Sequence, residues 1–224
     1  MGHAMKYYPA LLDLQGKCCV VVGGGQVAER KVQGLRKAQA RVTVIGLHLT
    51  RRLRRLQEEG KIGCRPHPFR AGDLKGAYLA IAATDDRKTN ERIFREATKQ
   101  RVLVNVVDDP GHSDFIVPSL VQRGDLLLAI STSGKSPALA KALRQKLERE
   151  LGGEYAFLLR LLGKVRKRIL ACGFPQGKNK IIFQRLMRED LATLIRRKDR
   201  RGLDARLKSI LGPGFSLREL GLRL

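Results

Sequence analysis

The chain has 224 residues, 43% of them apolar, which suffices for one sizeable core with a smaller appendage and excludes a disordered chain. Its 45 Lys and Arg against 21 Asp and Glu leave a net charge of +24, which favours an anionic partner, either nucleic acid or a small molecule with several carboxylates. No apolar run approaches the roughly 20 residues that cross a bilayer, and the first residues lack the apolar core of a signal peptide. We therefore expect a cytoplasmic protein without a membrane partner.

Up to about residue 110, short apolar runs rich in β-branched residues alternate with longer amphipathic segments. Strands that are apolar on both faces belong in a parallel sheet covered by helices, so the pattern predicts a doubly wound α/β domain. The predicted strands are 17–22, 41–45, 62–65, 77–83 and 102–107, and the predicted helices are 27–38, 50–59 and 88–100.

Three glycines end the first apolar run. Residues 23–28 read Gly-Gly-Gly-Gln-Val-Ala, which is the G-x-G-x-x-A fingerprint of a dinucleotide-binding turn. In that fingerprint Gly23 makes the tight turn, Gly25 lets the backbone approach a pyrophosphate, and Ala28 lets helix and sheet pack closely. The free amides at the helix start then face the phosphates. A glycine-rich turn without a nucleotide is the alternative, but the position between a predicted strand and a predicted helix favours dinucleotide binding.

The acidic residue that usually binds the adenine ribose is missing. It is expected about 20 residues after the turn, yet residues 30–57 contain no Asp or Glu. The fingerprint therefore leaves NAD and NADP open. Arg51 and Arg52 would suit a 2′-phosphate, although together with Arg54 and Arg55 they fit a solvated helix face better.

The pattern changes after the fifth predicted strand. Residues 108–119 are rich in turn formers and predict a loop, and residues 126–132 predict a further strand. Ser136 is in position to cap the next helix, with Pro137 as its first residue and Gly152 near its end.

The last third of the chain has helical periodicity only. Breaks are predicted at 172–180 and at 211–215, where Gly and Pro cluster. Residues 151–224 carry 18 Lys and Arg against 6 Asp and Glu, which is half of the excess positive charge. We therefore predict a small, basic, all-helical C-terminal domain.

With these pieces in order, the chain resembles the precorrin-2 dehydrogenase family, which includes the N-terminal region of multifunctional sirohaem synthase. The matching stretches are VVVGGGQVAERKVQGL, AIAATDDRKTNERI, VNVVDDP, FIVPSLVQRGDLLLAISTSGKSPALAKALRQKLE and the helical tail. They follow the family's order over nearly all of residues 6–224, most weakly beyond about residue 155.

The resemblance implies an enzyme that uses NAD to oxidise precorrin-2 to sirohydrochlorin on the route to sirohaem. Some members also insert Fe²⁺, which leaves a bifunctional enzyme with ferrochelatase activity as an alternative. The family is homodimeric and binds the macrocycle in a cleft. The implied parts are an NAD-binding Rossmann domain at 1–113, a dimerisation segment at 114–152 and a basic helical domain at 153–224. Precorrin-2 carries several carboxylates, so a basic cleft would attract it.

The family's catalytic aspartate lies in a motif that places it at Asp108. The predicted fold agrees with this placement, because Asp108 follows a predicted strand at the carboxyl edge of the sheet, where open α/β sheets bind ligands. Dehydrogenation sends a hydride to the nicotinamide and a proton to a base, and a carboxylate can act as that base. A turn-forming role before Asp109 and Pro110 is the alternative for Asp108.

The remaining site residues are weaker predictions. Those expected at the dinucleotide are Gly23, Gly24, Gly25, Gln26, Val27, Leu47, His48 and Thr84. Those expected at the substrate are Asn105, Ser131, Ser133, Gly134 and Lys135. Helix capping is the alternative for Thr84, as it is for the segment that contains Ser131. His112, with Asp108, is a candidate for metal binding or proton transfer, or is a solvent-facing loop histidine.

Two other classes of function are considered. A nucleic-acid-binding protein with a vestigial nucleotide fold would explain the charge, but only 5% of the residues are aromatic and no reading module is present, so we expect no nucleic-acid partner. A regulatory module that senses NAD is the other, and the retained Asp108 loop argues for catalysis instead.

Overall fold

The structure, a computed structural model, describes residues 6–172 and 176–224. The chain divides into two units, Met1–Val117 and Pro118–Leu224. In the two described ranges, none of the helices combines the length and the apolar character that a membrane crossing requires.

The first unit alternates strands and helices as predicted. Its elements are β1 (Cys18–Val22), α1 (Gln26–Lys37), β2 (Arg41–Ile45), α2 (Arg51–Glu58), β3 (Gly63–Arg65), β4 (Leu79–Ala82), α3 (Arg87–Gln100) and β5 (Leu103–Val106). A single 3₁₀ turn at Pro110–His112 follows β5. The predicted segments match these elements, with ends that differ by one or two residues.

The strands form one parallel sheet in the order β3-β2-β1-β4-β5. In the register of the sheet, Val22 lies beside both Ile45 and Ala82, and Ala82 lies beside Val106. Since Arg65 of β3 lies beside Ile45, all five strands end on one line, and the loops that follow them meet at the carboxyl edge. The predicted doubly wound, Rossmann-like sheet is confirmed.

Helices cover both faces of this sheet, which is why its strands are apolar throughout. On one face, α1 and α2 pack on Val21, Val44 and Ile81. On the other face, α3 packs on Val20 and Ala80. Because alternate strand residues point to opposite faces, β1, β2, β4 and β5 each contribute to both core clusters.

The second unit begins with a hairpin and continues with helices. Its elements are β6 (Ser119–Arg123), β7 (Leu126–Ile130), α4 (Pro137–Glu150), α5 (Glu154–Ala171), α6 (Gln176–Arg188), α7 (Leu191–Arg196) and α8 (Arg200–Leu211). The strand β6 was not predicted. Arg123 pairs with Leu126 across a turn of Gly124 and Asp125, and Gly124 has a φ of +60°. A Gly-Asp pair between two short runs is a hairpin signal, so the sequence did contain the clue.

The C-terminal helices follow the predicted pattern with two additions. The helix α8 ends at Leu211, as predicted, and α5 ends at Ala171, where the other predicted break begins. The predicted break at 172–180 was too long, because α6 already begins at Gln176; residues 173–175 lie outside the described residues. Two further breaks occur because Asp190 and Asp199 cap α7 and α8 with their side chains. The helices α5 to α8 bury one apolar cluster of their own.

Candidate functional site

Five loops of the first unit meet at the carboxyl edge of the sheet, and those after β1, β2, β4 and β5 begin at Gly23, Gly46, Ala83 and Val107. Backbone hydrogen bonds extend the ladder past the strands. The Gly23 amide donates to the Ile45 carbonyl at 2.8 Å, and the Val107 amide donates to the Ala82 carbonyl at 2.9 Å. The glycine turn and the Asp108 loop therefore lie on the same edge, where ligands of open α/β sheets bind.

The first two glycines of the turn are required by their neighbours. Gly23 has a φ of +120°, and a Cβ on it would lie 2.2 Å from the carbonyl oxygen of Ala83. A Cβ on Gly24 would lie 1.9 Å from the carbonyl oxygen of His48. The Gly24 carbonyl also accepts a hydrogen bond from the Thr50 amide at 3.0 Å. The turn is thus packed between the loops that follow β4 and β2.

Gly25 is different, because a Cβ on it would meet nothing within 4 Å. It is the N-cap residue of α1 and provides no side-chain cap, and the Glu29 amide makes the bond to the Gly25 carbonyl at 3.0 Å. Within residues 6–172 and 176–224, the amides of Gln26, Val27 and Ala28 have no acceptor. Open space and uncapped amides at the positive end of a helix fit the pyrophosphate of a dinucleotide.

The loop after β2 presents apolar and imidazole side chains at this edge. Leu47 is 60% exposed, and His48 is exposed. Thr50 caps α2 by accepting from the Leu53 amide at 3.2 Å, and its hydroxyl donates to the Glu29 carboxylate at 2.7 Å. Because Glu29 is engaged by Thr50, it is not a substitute for the missing ribose-binding acid.

Asp108 and Asp109 have different surroundings although they are adjacent. Asp109 accepts from the amides of Gly111 and His112 at 3.1 and 3.3 Å, and its carboxylate lies 2.8 Å from Nδ1 of His112. The pKa of Asp109 lies below its usual value, chiefly because of the bond to His112. Burial opposes this shift, and the backbone hydrogen bonds to the carboxylate add to it. Asp108 is exposed with a φ of +60°, and its carboxylate has no hydrogen bond or ion pair to any described residue. Asp108 itself lies in a turn, which the Asp109 amide closes by donating to the Val106 carbonyl at 3.2 Å, but its carboxylate takes no part in that bond.

Two family models match the chain. An NAD(P)-binding family matches residues 10–119, and the family described as Sirohaem biosynthesis protein central matches residues 123–150. The Siroheme synthase of Nitrosococcus oceani is 38% identical over 211 residues, which cover 94% of this chain and 45% of that protein. The Siroheme synthase of Photorhabdus laumondii is 41% identical over 165 residues, which cover 74% of this chain and 35% of that protein.

A solved structure adds a match over the full fold. SirC, precorrin-2 dehydrogenase, superposes with a TM-score of 0.75 at 26% identity, and the match covers 90% of this chain and all of SirC. The chain belongs to the precorrin-2 dehydrogenase and sirohaem synthase family. It spans less than half the length of the Siroheme synthases that it matches.

In this sirohaem synthase family member, two further predicted site residues lie near the carboxyl edge of the sheet: Asn105 within β5 and Thr84 in the loop after β4. Asn105 is only 7% exposed; its Nδ2 donates to the Phe115 carbonyl at 3.0 Å, and its Oδ1 is buried without a partner in the described residues. The Thr84 hydroxyl lies 2.7 Å from Oδ1 of Asn90, which ties Thr84 to α3, while Asp86 caps that helix. The predicted contacts of Asn105 with substrate and of Thr84 with the dinucleotide remain predictions.

The predicted metal candidates are placed without a cluster around them. The His112 ring packs edge-on against Phe94, with ring centroids 5.0 Å apart, and its Nδ1 is occupied by Asp109. Over the described part of the chain, no group of three or more His, Cys, Asp or Glu side chains could hold a metal ion. A metal role for Asp108 or His112 stays a prediction.

The segment with Ser131, Ser133, Gly134 and Lys135 lies in the second unit, between β7 and α4, and all four residues are exposed. The helix that follows is capped within the segment, because the Ser136 hydroxyl accepts from the Leu139 amide at 3.2 Å. None of the four predicted residues therefore forms the cap, and their contact with substrate remains a prediction.

One partly buried charged residue after the glycine turn was not considered in the sequence analysis. Lys31 lies on the second turn of α1 and is only partly exposed; burial and then the charge of Arg30 lower its pKa, and the charge of Asp108 opposes them. Lys31 belongs to the family stretch GGGQVAERK, of which the sequence analysis used only the turn and helix start at residues 23–28.

Proposed function

We propose that the chain catalyses the NAD-dependent oxidation of precorrin-2 to sirohydrochlorin, with Asp108 as the general base. The observation that carries this proposal is the pair of unused groups on one sheet edge. These are the uncapped amides at the start of α1 and the unpaired carboxylate of Asp108. Family membership supports both the cofactor class and the substrate.

Bound NAD⁺ would supply the hydride acceptor. Gly23 and Gly24 shape the turn, Gly25 leaves room for the pyrophosphate, and the amides of Gln26 and Val27 donate to its oxygens. We propose NAD rather than NADP as the coenzyme, since the arginines near β2 fit a solvated helix face. Leu47, His48 and Thr84 would line the rest of the coenzyme site.

Asp108 would take the proton that leaves the macrocycle with the hydride. Its carboxylate is exposed and free of protein partners, so it can accept a proton from a bound ligand without breaking an existing bond. Asp109 holds the loop through its bonds to the 3₁₀ turn, which fixes the backbone that presents Asp108. The net charge of +24 favours a substrate with several carboxylates.

The assembly that we propose is a homodimer formed through residues 114–152. Support comes from α4, on which Leu139 and Leu143 are 51% and 40% exposed one turn apart. Exposed apolar residues at that spacing are typical of a surface that another chain covers. A cytoplasmic location and the parts 1–113, 114–152 and 153–224 belong to the same proposal.

The test is anaerobic incubation of the protein with precorrin-2 and NAD⁺, followed by the absorption spectrum of the product. Asp108→Asn should lower the rate by about 10²- to 10⁴-fold, since one general base contributes that much, while NAD⁺ still binds. Asn suits this control because it tolerates a positive φ as Asp does. Asp108→Ala should give the same result. Unchanged turnover in either variant would contradict the role of Asp108.

Fe²⁺ added after the oxidation tests the bifunctional alternative in the same sample. Conversion of the sirohydrochlorin spectrum to that of sirohaem, faster than in a sample without protein, would show iron insertion. Its failure would leave the dehydrogenase proposal intact.

A further inference from the structure

The loop after β4 lies between the loops that follow β1 and β5. A Cβ on Gly23 would lie 2.2 Å from the Ala83 carbonyl oxygen and 3.3 Å from the Thr84 amide nitrogen. On the other side, the Val107 amide donates to the Ala82 carbonyl at 2.9 Å. Thr84 therefore lies at the carboxyl edge between the glycine turn and the loop that carries the proposed base.

The order of the sheet assigns one part of the coenzyme to this loop. The strands that carry the coenzyme loops and the proposed base are neighbours in the order β2-β1-β4-β5. With the pyrophosphate at the turn after β1 and the oxidising ring at the base after β5, the loop after β4 faces the group that joins the two. In NAD that group is the ribose of nicotinamide, which carries a 2′- and a 3′-hydroxyl.

Asn90 of α3 holds Thr84 through both ends of its side-chain amide. Its Nδ2 donates to the Thr84 carbonyl at 3.0 Å, and its Oδ1 accepts from the Thr84 hydroxyl at 2.7 Å. The orientation of this amide is determined by the carbonyl oxygen of Thr84, which can only accept, so the NH₂ group must face it. The Oδ1 atom then has to face the hydroxyl.

The Thr84 hydroxyl has one proton and is surrounded by acceptors. Besides Oδ1 of Asn90, the Asp86 carbonyl oxygen lies 3.1 Å from Oγ1 of Thr84. Over residues 6–172 and 176–224, no group donates to this hydroxyl oxygen. Its proton is used within the protein, and only acceptor lone pairs remain for a ligand. A ligand that binds here must offer a donor, as a ribose hydroxyl does and an ionised phosphate or carboxylate does not.

The Asn90 pair is separate from the cap of the same helix. The helix α3 is capped by the Asp86 carboxylate, which accepts from the amides of Lys88 and Thr89 at 3.2 and 3.1 Å. Thr84 takes no part in these bonds. The contact between Asn90 and Thr84 therefore fixes the loop at the carboxyl edge and not the start of the helix.

We propose that Asn90 is a positioning residue for the coenzyme, which holds the Thr84 hydroxyl as an acceptor for a hydroxyl of the nicotinamide ribose. Asn90 acts on the coenzyme only through Thr84. The inference rests on the proposed function, because it assumes that the dinucleotide binds at this edge.

The first experiment measures binding without catalysis. Calorimetric titration compares NAD⁺ with two analogues, in which the nicotinamide ribose lacks its 2′- or its 3′-hydroxyl. The wild-type protein should bind one of the two about 3- to 10-fold more weakly than NAD⁺, which is the contribution of one hydrogen bond between uncharged groups. Equal affinity for all three compounds would overturn the inference.

Variants of the pair then locate the contact. Thr84→Val keeps the shape but loses the hydroxyl, so it should bind NAD⁺ and both analogues alike, whereas Thr84→Ser should still discriminate. Asn90→Ala should reduce the discrimination to less than about twofold, and it should cause no further loss of NAD⁺ affinity when Thr84 is already Val. Asn90→Leu, which has nearly the volume of Asn, replaces Asn90→Ala if that variant does not fold. Discrimination that persists in either Asn90 variant, or losses that add in the double variant, would contradict the role of Asn90.

Thr89→Val is the matched control for Thr84→Val. The Thr89 hydroxyl donates to the Asp86 carboxylate at the same helix start and does not contact Thr84. This variant should bind NAD⁺ and both analogues as the wild type does. If its affinity for NAD⁺ falls as far as that of Thr84→Val, the effect comes from the helix start and the inference fails.

The kinetics separate the coenzyme from the macrocycle. Asn90→Ala should raise KM for NAD⁺ about 3- to 10-fold and leave KM for precorrin-2 unchanged. The reverse pattern would mean that the pair serves the macrocycle, which contradicts the inference.

The two proposals fail separately. A protein without measurable affinity for NAD⁺, or an Asp108→Asn variant with wild-type turnover, would refute the proposed function. If NAD⁺ binds and Asp108→Asn is inactive, but the wild type binds both analogues like NAD⁺, only the inference about Asn90 fails.

Discussion

Two helices of this protein each follow a strand and a turn of small residues, but only one of them has a side-chain cap at its N-terminus. The helix α1 follows Gly25, which gives no side-chain cap and leaves open space above the turn. The helix α4 follows Ser136, whose hydroxyl accepts from the Leu139 amide, with Pro137 as the first residue. One helix start is left open to a ligand, and the other is closed by its own sequence.

The comparison shows how to interpret a helix N-terminus. Uncapped amides cost stability unless something else accepts from them, so an uncapped start with free space is suited to an anion. A start capped by Ser has already satisfied part of this need. The glycine turn therefore carries the stronger argument for a phosphate, and the segment before Ser136 depends on the family resemblance.

The largest effect is expected where the turn is packed. Gly24→Ala places a Cβ 1.9 Å from the His48 carbonyl oxygen, so the loop after β2 must move. We expect a loss of about 3 kcal/mol in the free energy of unfolding, as is typical of overpacking. Denaturant unfolding measures it, and a loss within the error of the measurement would contradict the packing described for the turn.

A smaller effect is expected at the neighbouring glycine, and on a different quantity. Gly25→Ala meets no atom, so stability should change by only about 0.5 kcal/mol. The new methyl group occupies the space proposed for the pyrophosphate, so affinity for NAD⁺ should fall about 10- to 100-fold, the equivalent of one or two charge-assisted hydrogen bonds. Calorimetric titration measures this affinity. Wild-type affinity would mean that the dinucleotide does not approach Gly25.

The smallest effect is expected at the capped helix. Ser136→Ala removes the hydroxyl that accepts from the Leu139 amide and should destabilise the second unit by about 1 kcal/mol. NAD⁺ affinity should not change, because the proposed coenzyme site belongs to the first unit. Ser133→Ala is the matched control, since the Ser133 side chain forms no bond within the described ranges. Equal stability of the two variants would argue against the cap.

The Rossmann sheet could be predicted because its signals are local. Buried runs such as 41–45 and the three glycines at 23–25 each determine one element and its neighbours. The hairpin at β6 was missed since its strand alternates only weakly, although the Gly124-Asp125 turn marked it. The breaks at Asp190 and Asp199 were missed because a single capping side chain gives little periodic signal.

The candidate site was harder to predict from the sequence than the fold, for a physical reason. Gly25, Asp108 and Asn105 could be selected from motifs, but their free groups appear only when all neighbours are placed. The division of labour between Asp108 and Asp109 depends on which carboxylate reaches the amides of the 3₁₀ turn.

The backbone of Asp108 has a consequence for engineering this protein. A φ of +60° is natural for glycine, and an L-residue held there costs about 1 kcal/mol. A redesign aimed at heat resistance would therefore favour glycine at this position and would delete the proposed base while improving the fold. If Asp108 is the base, this loop is therefore a poor place to look for stabilising substitutions.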